Sequence, residues 1–256
     1  MPKIRALGIY GGRGKNKSTT SFLLNPRVVI DAGNILNALG DDARKIDHIF
    51  LSHCHLDHII DIPFLIDAFF AYRKEPLHIY ALPETTASLK KHILNWEIWP
   101  DFNDIDLLER REKAIQFHTI AFGETYDVDG VTLKPIPTNH TVPSCGYVIT
   151  KKEKKALITC DTYLCDRLWE EINGDLDINT LVIEVSFPSR MAKLAELSKH
   201  LTPKLLKSEL KNIKRDAPLS IYINHMKPDF LDEITAEIAE LGLNVTLLDD
   251  GFAIKL

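Results

Sequence analysis

Apolar residues recur along this chain in two rhythms, and the switches between them outline its elements. Short alternating or continuous apolar runs, punctuated by Gly, Pro, Asn and Asp, predict strands near 4–10, 20–24, 27–31 and 46–51. The stretch from Ile59 to Phe70 is apolar almost all round, apart from Asp61 and Asp67, which predicts a deeply packed helix. Pro83 to about Trp96 predicts another, with proline in the tolerated first turn.

The order then repeats. Strands are expected near 113–118, 131–136, 145–150 and 154–159, a helix near 163–173, a strand at 179–185, helices near 190–197 and 203–212, and finally a strand, a helix and two closing strands. Strand runs and helices in both halves predict an α+β protein, two sheets packed face to face with helices outside: a four-layer αββα sandwich. The charge run Lys151-Lys152-Glu153-Lys154-Lys155 falls between two strand-like segments and reads as a hairpin tip.

Composition narrows the class. With 256 residues, 45% hydrophobic and 26% charged, the chain can bury a substantial core, and no linker or compositional break divides it, so residues 1–256 are expected to form a single domain. Its four cysteines, Cys54, Cys145, Cys160 and Cys165, form no CxxC pair or regular framework, which suits a reducing compartment. The N-terminal stretch Met1-Pro2-Lys3-Ile4-Arg5-Ala6 has no long apolar core behind its basic residues, and no apolar run reaches about 18 residues. A cytoplasmic protein with no membrane partner is therefore expected. The net charge of -5 weighs against an extended nucleic-acid surface, but a small anionic substrate needs only a local positive site, which bound metals can supply. A homodimer is left open.

The chemistry concentrates in His53-Cys54-His55-Leu56-Asp57-His58, directly after an apolar strand. Four ligand-type side chains within six residues are hard to explain structurally. Neutral imidazoles with a carboxylate suit zinc, manganese or iron, whereas magnesium and calcium demand mostly oxygen. Cys54 alternates out of phase with His53 and His55 and is expected to face away. Three further candidates stand at strand ends downstream: His140, Asp161 and His225.

Taken together, the HxHxDH cluster, the later order His…Asp…His, and Ile30-Asp31-Ala32-Gly33 ahead of them resemble the metallo-β-lactamase superfamily over nearly the whole chain. The resemblance implies two divalent ions, with zinc first and manganese or iron as alternatives. One would take His53, His55 and His140, the other Asp57, His58 and His225, with Asp161 bridging. A hydroxide between the metals would be the nucleophile, and the site would remain net positive. Asp31 and Ser52 are expected to orient ligands.

Two further segments narrow the substrate. Ile183-Glu184-Val185-Ser186-Phe187-Pro188 and Ser198-Lys199-His200-Leu201-Thr202-Pro203, read with the His-rich cluster, resemble class II cyclic-nucleotide phosphodiesterases, which combine HxHLDH, E-x-S-[FY]-P and HLTP. The implied reaction is hydrolysis of a 3′,5′-cyclic nucleotide, cyclic AMP or cyclic GMP, to the 5′-monophosphate. His200, Asp57 and Glu184 would be catalytic, and His200 and Thr202 would contact substrate. Thr202-Pro203 is also a good helix start, which would hold His200 beside a helix N-terminus. Glu184 ends an apolar strand, where a buried carboxylate requires a partner, and His200 is the expected one.

Rival readings remain. The transfer-RNA 3′ processing nucleases resemble this chain at Glu184 and His200-Leu201-Thr202, but carry a His where this chain has Ile183 and use a basic arm for which there is no candidate. Another cyclic phosphodiesterase, an iron-dependent oxidoreductase on the same scaffold, or a non-catalytic metal-binding protein are the others. Gly11-Gly12-Arg13-Gly14-Lys15 lacks P-loop spacing and is expected to be a flexible loop near the active-site rim, from which Arg13 or Lys15 could touch substrate. The ring-rich segment Trp96 to Phe102 could stack on a base or pack into the core. His48, His78, His92 and His118 are assigned no role.

Overall fold

The computed structural model of the protein describes residues 3–256; Met1 and Pro2, part of the N-terminal stretch considered above, lie outside the described residues. The first half supplies β1 (Lys3–Gly8), β2 (Ser21–Asn25), β3 (Val28–Ile30), β4 (His48–Phe50), β5 (Leu77–Ala81) and β6 (Ile115–Thr119). The second supplies β7 (Tyr126–Val128), β8 (Val131–Pro137), β9 (Cys145–Lys151), β10 (Lys154–Ile158), β11 (Ile178–Glu184), β12 (Ser220–Asn224) and β13 (Thr246–Leu247), and the closing strand is β14 (Ala253–Lys255). They form two seven-stranded sheets, ordered β14-β1-β2-β3-β4-β5-β6 and β13-β12-β11-β10-β9-β8-β7.

Alternation along each strand builds the layers, because successive side chains leave a strand on opposite faces. On β4, Phe50 enters the core between the sheets while Ile49 points outward. On β11, Val182 points inward while Leu181 and Ile183 point outward. The outer face of the first sheet is covered by α1 (Leu36–Leu39), α2 (Leu56–Ile59), α3 (Asp61–Phe69) and α4 (Pro83–His92), through residues such as Ile62, Leu65, Ile66 and Leu89. The second is covered by α5 (Asp166–Gly174), α6 (Ala192–Ser198), α7 (Pro203–Glu209) and α8 (Leu231–Glu240), through Trp169, Leu206 and Ile234. Three apolar interfaces separate four layers, so the expected αββα sandwich is the observed one. Each large side chain buried in them contributes roughly 1.5–3 kcal/mol. Among the described residues, no helix is long and apolar enough to cross a membrane.

Three elements depart from expectation. β5 and β7 were not anticipated: β5 is only five residues, and its inward positions are His78 and Tyr80, which weaken the apolar signal. The helix after the His-rich cluster starts inside it, at Leu56, so Asp57 and His58 ride on its first turn rather than on a loop.

The topology explains where the site must lie. Strands β3, β4, β5 and β6 are mutually parallel, as are β10, β11 and β12, and β8 runs in the direction of β10 because both pair antiparallel to β9. The C-terminal ends of β3, β4, β8, β10, β11 and β12, or the segments leaving them, carry Asp31, His53–His58, His140, Asp161, Glu184 and His225. In mixed α/β sheets such strand ends are where ligands are held.

Candidate active site

Main-chain strain marks this rim. Asp31, Cys160 and His225 have φ of 58°, 51° and 62°, left-handed values that non-glycine residues seldom adopt and that persist where surrounding structure enforces them. Two glycines allow the close approaches. A Cβ on Gly11 would lie 2.6 Å from the His225 carbonyl, and one on Gly33 would lie 2.2 Å from that of Asp57. The Gly-rich loop therefore packs directly on a candidate ligand.

All seven ligand candidates converge. His53, His55, His140 and Asp161 form one group and Asp57, His58 and His225 a second, the ligand atoms within each lying within 4.8 Å of one another. Asp161 stands between the groups, with Oδ2 3.4 Å from His58 Nε2 and 3.7 Å from His53 Nε2, and Oδ1 3.2 Å from His225 Nε2. Asp57 Oδ2 is 3.4 Å from His225 Nε2.

Outer hydrogen bonds choose the tautomers. His58 Nδ1 donates to Asp31 Oδ2 at 2.7 Å, and Ser52 Oγ lies 2.8 Å from the same oxygen and 2.9 Å from His53 Nδ1. His140 Nδ1 donates to the Lys199 carbonyl at 3.1 Å, and His225 Nδ1 to Ser186 Oγ at 2.9 Å. With Nδ1 engaged, the Nε2 atoms of His53, His58, His140 and His225 face the centre, the side from which a metal would be bound. Asp31 and Ser52 thus occupy the supporting places expected of them. Cys54 packs against the apolar layer of the first sheet, away from the centre.

The electrostatics are those of a polar cluster under strain. Burial pushes His53 well below its ordinary range and, with His140 nearby, lowers His55 to about 4, so both are neutral and able to ligate. Burial opposes charge on His58, but Asp161 and Asp31 raise its pKa well above the ordinary value. Burial likewise disfavours ionised Asp161, yet His225 and His58 hold its pKa far down. His53 Nε2 and Asp161 Oδ1 are buried and have no hydrogen-bond partner. Orphaned acceptors aimed into one point, among imidazoles and carboxylates, fit a pair of divalent ions.

Beside this centre stands a second arrangement. Glu184, fully buried, accepts from His200 Nδ1 at 2.7 Å and from the Thr162 amide at 2.9 Å through Oε1, and from Ser186 Oγ at 2.7 Å through Oε2. Burial would depress the His200 pKa, but the charge and hydrogen bond of Glu184 raise it instead. The His200 ring lies 5.0 Å from that of His140 and 5.2 Å from that of His225, over both ligand groups. Ser186 joins the two arrangements, since its hydroxyl bridges Glu184 and His225. Sequence reasoning gave Ser186 no role, although its place two residues after a buried Glu was the available signal.

Other candidates fall elsewhere. Thr202 is buried, and its hydroxyl accepts from the Leu205 amide at 3.4 Å as the cap of α7, so its observed contact serves the helix. Phe102 is buried, Trp99 packs edge-on to Phe64 at 4.9 Å, and the Trp96–Phe102 segment lines no cleft at the centre. Arg13 lines such a cleft; Lys15 does not.

Known proteins share this architecture. The metallo-β-lactamase fold protein YhfI from Bacillus subtilis superposes with a TM-score of 0.77 at 19% identity over 99% of each chain. A probable 3′,5′-cyclic-nucleotide phosphodiesterase from Yersinia pestis is 24% identical over 97% of this chain and 88% of its own length. Ribonuclease Z of Methanococcus maripaludis is 35% identical over 133 residues, 52% of this chain but only 39% of that enzyme. The chain thus has the metallo-β-lactamase fold, built on two sheets whose facing strand ends carry the candidate ligands. Because residues 4–231 match the family model described as anti-Pycsar protein Apyc1, the chain belongs to that family.

Proposed function

We propose that this protein hydrolyses a 3′,5′-cyclic nucleotide to the 5′-monophosphate. The observation that carries the proposal is the His200–Glu184 pair, closed at 2.7 Å, with His200 beside Asp161, His140 and His225 of the ligand candidates. His53, His55 and His140 would hold one divalent ion and Asp57, His58 and His225 the other, with Asp161 shared; the donor set suits zinc. Such a pair, when bound, activates water at neutral pH and offsets charge on the phosphoryl oxygens.

The protein's own groups do the rest. Glu184 raises the pKa of His200, and His200 can give its Nε2 proton to the departing ribose oxygen. Ser186 holds Glu184 and His225 in register. Hydrolysis forms one P–O bond from water and breaks the one to the ribose 3′ oxygen, which takes up the proton that a single acid supplies.

The near full-length likeness to the Yersinia phosphodiesterase supports this reading. The Ribonuclease Z likeness supports a rival, RNA 3′ cleavage, whose whole-enzyme activity would need surfaces beyond the half of this chain that matches. The net charge of -5 weighs against it. The decisive experiment supplies the zinc-loaded protein with the 3′,5′-cyclic mononucleotides and, separately, with a transfer-RNA precursor. Turnover of a cyclic nucleotide, lost in His200→Ala while two metal ions remain bound, is expected. Cleavage of the RNA alone would overturn the proposal.

A further inference from the structure

Two clefts open on the candidate metal centre, one at each ligand group, and their chemistries differ. The larger, of about 650 Å³, meets the centre at His140 and is walled by Leu82, Ile120 and Phe122, with Asn139 and Thr141 near His140. It contains no Lys or Arg; apart from His140, its ionisable group is Glu84. The smaller, of about 410 Å³, meets the centre at Asp57 and carries Arg13 and Lys227. Arg13 donates to the Gly33 carbonyl at 3.3 Å and lies 3.9 Å from Asp61. Lys227 donates to the Gly11 carbonyl and sits over the Phe187 ring at 5.9 Å. Both cations are thus tethered beside the centre, and the Gly-rich loop that supplies Arg13 is held by its contact with His225.

A cyclic nucleotide has a matching division. Its charge sits on one phosphodiester, while its base has apolar faces and an uncharged polar edge. A neutral cleft with apolar walls and a few polar groups suits the base. A cleft with two cations suits phosphoryl oxygens. Phe122, in the loop from β6 to β7, is 47% exposed and offers a ring face that nothing in its own core requires.

Building on the proposed cyclic-nucleotide reading, we infer that substrate lies across the centre in one orientation, its nucleoside in the His140 cleft against Phe122 and its phosphoryl oxygens towards Arg13 and Lys227. Phe122 then sets affinity for the base, and Arg13 sets affinity for the diester whatever it is attached to.

The test compares kcat/KM of the zinc-loaded protein on a cyclic nucleotide and on methyl p-nitrophenyl phosphate, a diester with no base. Phe122→Ala should lower the ratio of the two about tenfold, the scale of one base-stacking contact, and Phe122→Trp should restore it. Arg13→Ala should reduce both rates by a similar factor and leave the ratio in place. Lys15→Ala, on the same loop but outside both clefts, should change neither rate. If wild type cleaves cyclic nucleotides but Phe122→Ala leaves the ratio unmoved, or lowers both rates together, the orientation is wrong while the function stands. A ratio that moves with Arg13 instead reverses the orientation. A wild type that cleaves only the small diester removes the functional reading and this inference with it.

Discussion

Glu184 has no solvent contact, yet four groups donate to its two oxygens: His200 Nδ1, the Thr162 and Leu201 amides, and Ser186 Oγ. A carboxylate so enclosed is tolerated because its oxygens are fully satisfied, and Glu184 raises the pKa of His200 against the pull of burial. The sign of the consequence is fixed. An acid with a raised pKa works below that pKa and is lost as pH climbs through it. Glu184→Gln keeps the shape but removes the charge, so the alkaline limb of kcat should move to lower pH while metal content stays the same. An unmoved limb would show that the titrating acid is another group. The pairing was legible in the sequence because Glu184 ends an apolar strand and demands a partner. The bridging by Ser186 was not, because its place two residues after Glu184 points to the carboxylate but not to His225, 39 residues further along the chain.

At the scale of elements, strands β4, β5 and β6 gather three histidines on the first sheet: His48 pairs with His78, and His118, in register with Tyr80, stands diagonal to His78. His48 and His78 stack at 5.0 Å, and His78 Nδ1 lies 2.9 Å from His118 Nε2. Partial burial lowers the pKa of all three, that of His48 to about 4. The unfolded chain therefore binds protons here near pH 6.5 that the folded sheet refuses, and the folded state loses stability as pH falls from about 6.5 towards 4. Calorimetric Tm measured from pH 7 to 4.5 should decline less steeply in His48→Gln than in wild type. Equal slopes would mean that the ladder does not take part in the acid transition. The sequence marked β4 and β6 but not β5, because a strand whose inward residues are His and Tyr carries little of the apolar contrast that announces a strand. For the same reason the first turn of α2 was hidden: its residues were already claimed as ligands, and local spacing cannot tell a helical turn from a loop.

For the molecule as a whole, the centre ties two sheets together. His53, His55, Asp57 and His58 follow β4 of the first, whereas His140, Asp161 and His225 follow β8, β10 and β12 of the second. Without ions, buried acceptors such as His53 Nε2 and Asp161 Oδ1 stay unpartnered at the seam between the sheets. Removing metal with a chelator should lower Tm by about 5–10 °C, and readdition of zinc should restore it, since a ligand bound only by the folded state stabilises it by mass action. An unchanged Tm, with no metal found in the untreated protein, would refute the dinuclear centre.

The sequence by itself determined the layered architecture and the identity of the ligand-type residues. Both are local properties: alternation is written along each strand, and His53 to His58 are neighbours in the chain. Tertiary structure alone decided what these residues are for one another. Parallel strand ends bring Asp161, Glu184 and His225 to one rim, the hydroxyl of Thr202 caps its own helix, and Arg13 and Phe122 stand in separate clefts at the two ligand groups. Those outcomes depend on distances between segments far apart in the chain, and such distances exist only once the two sheets have packed.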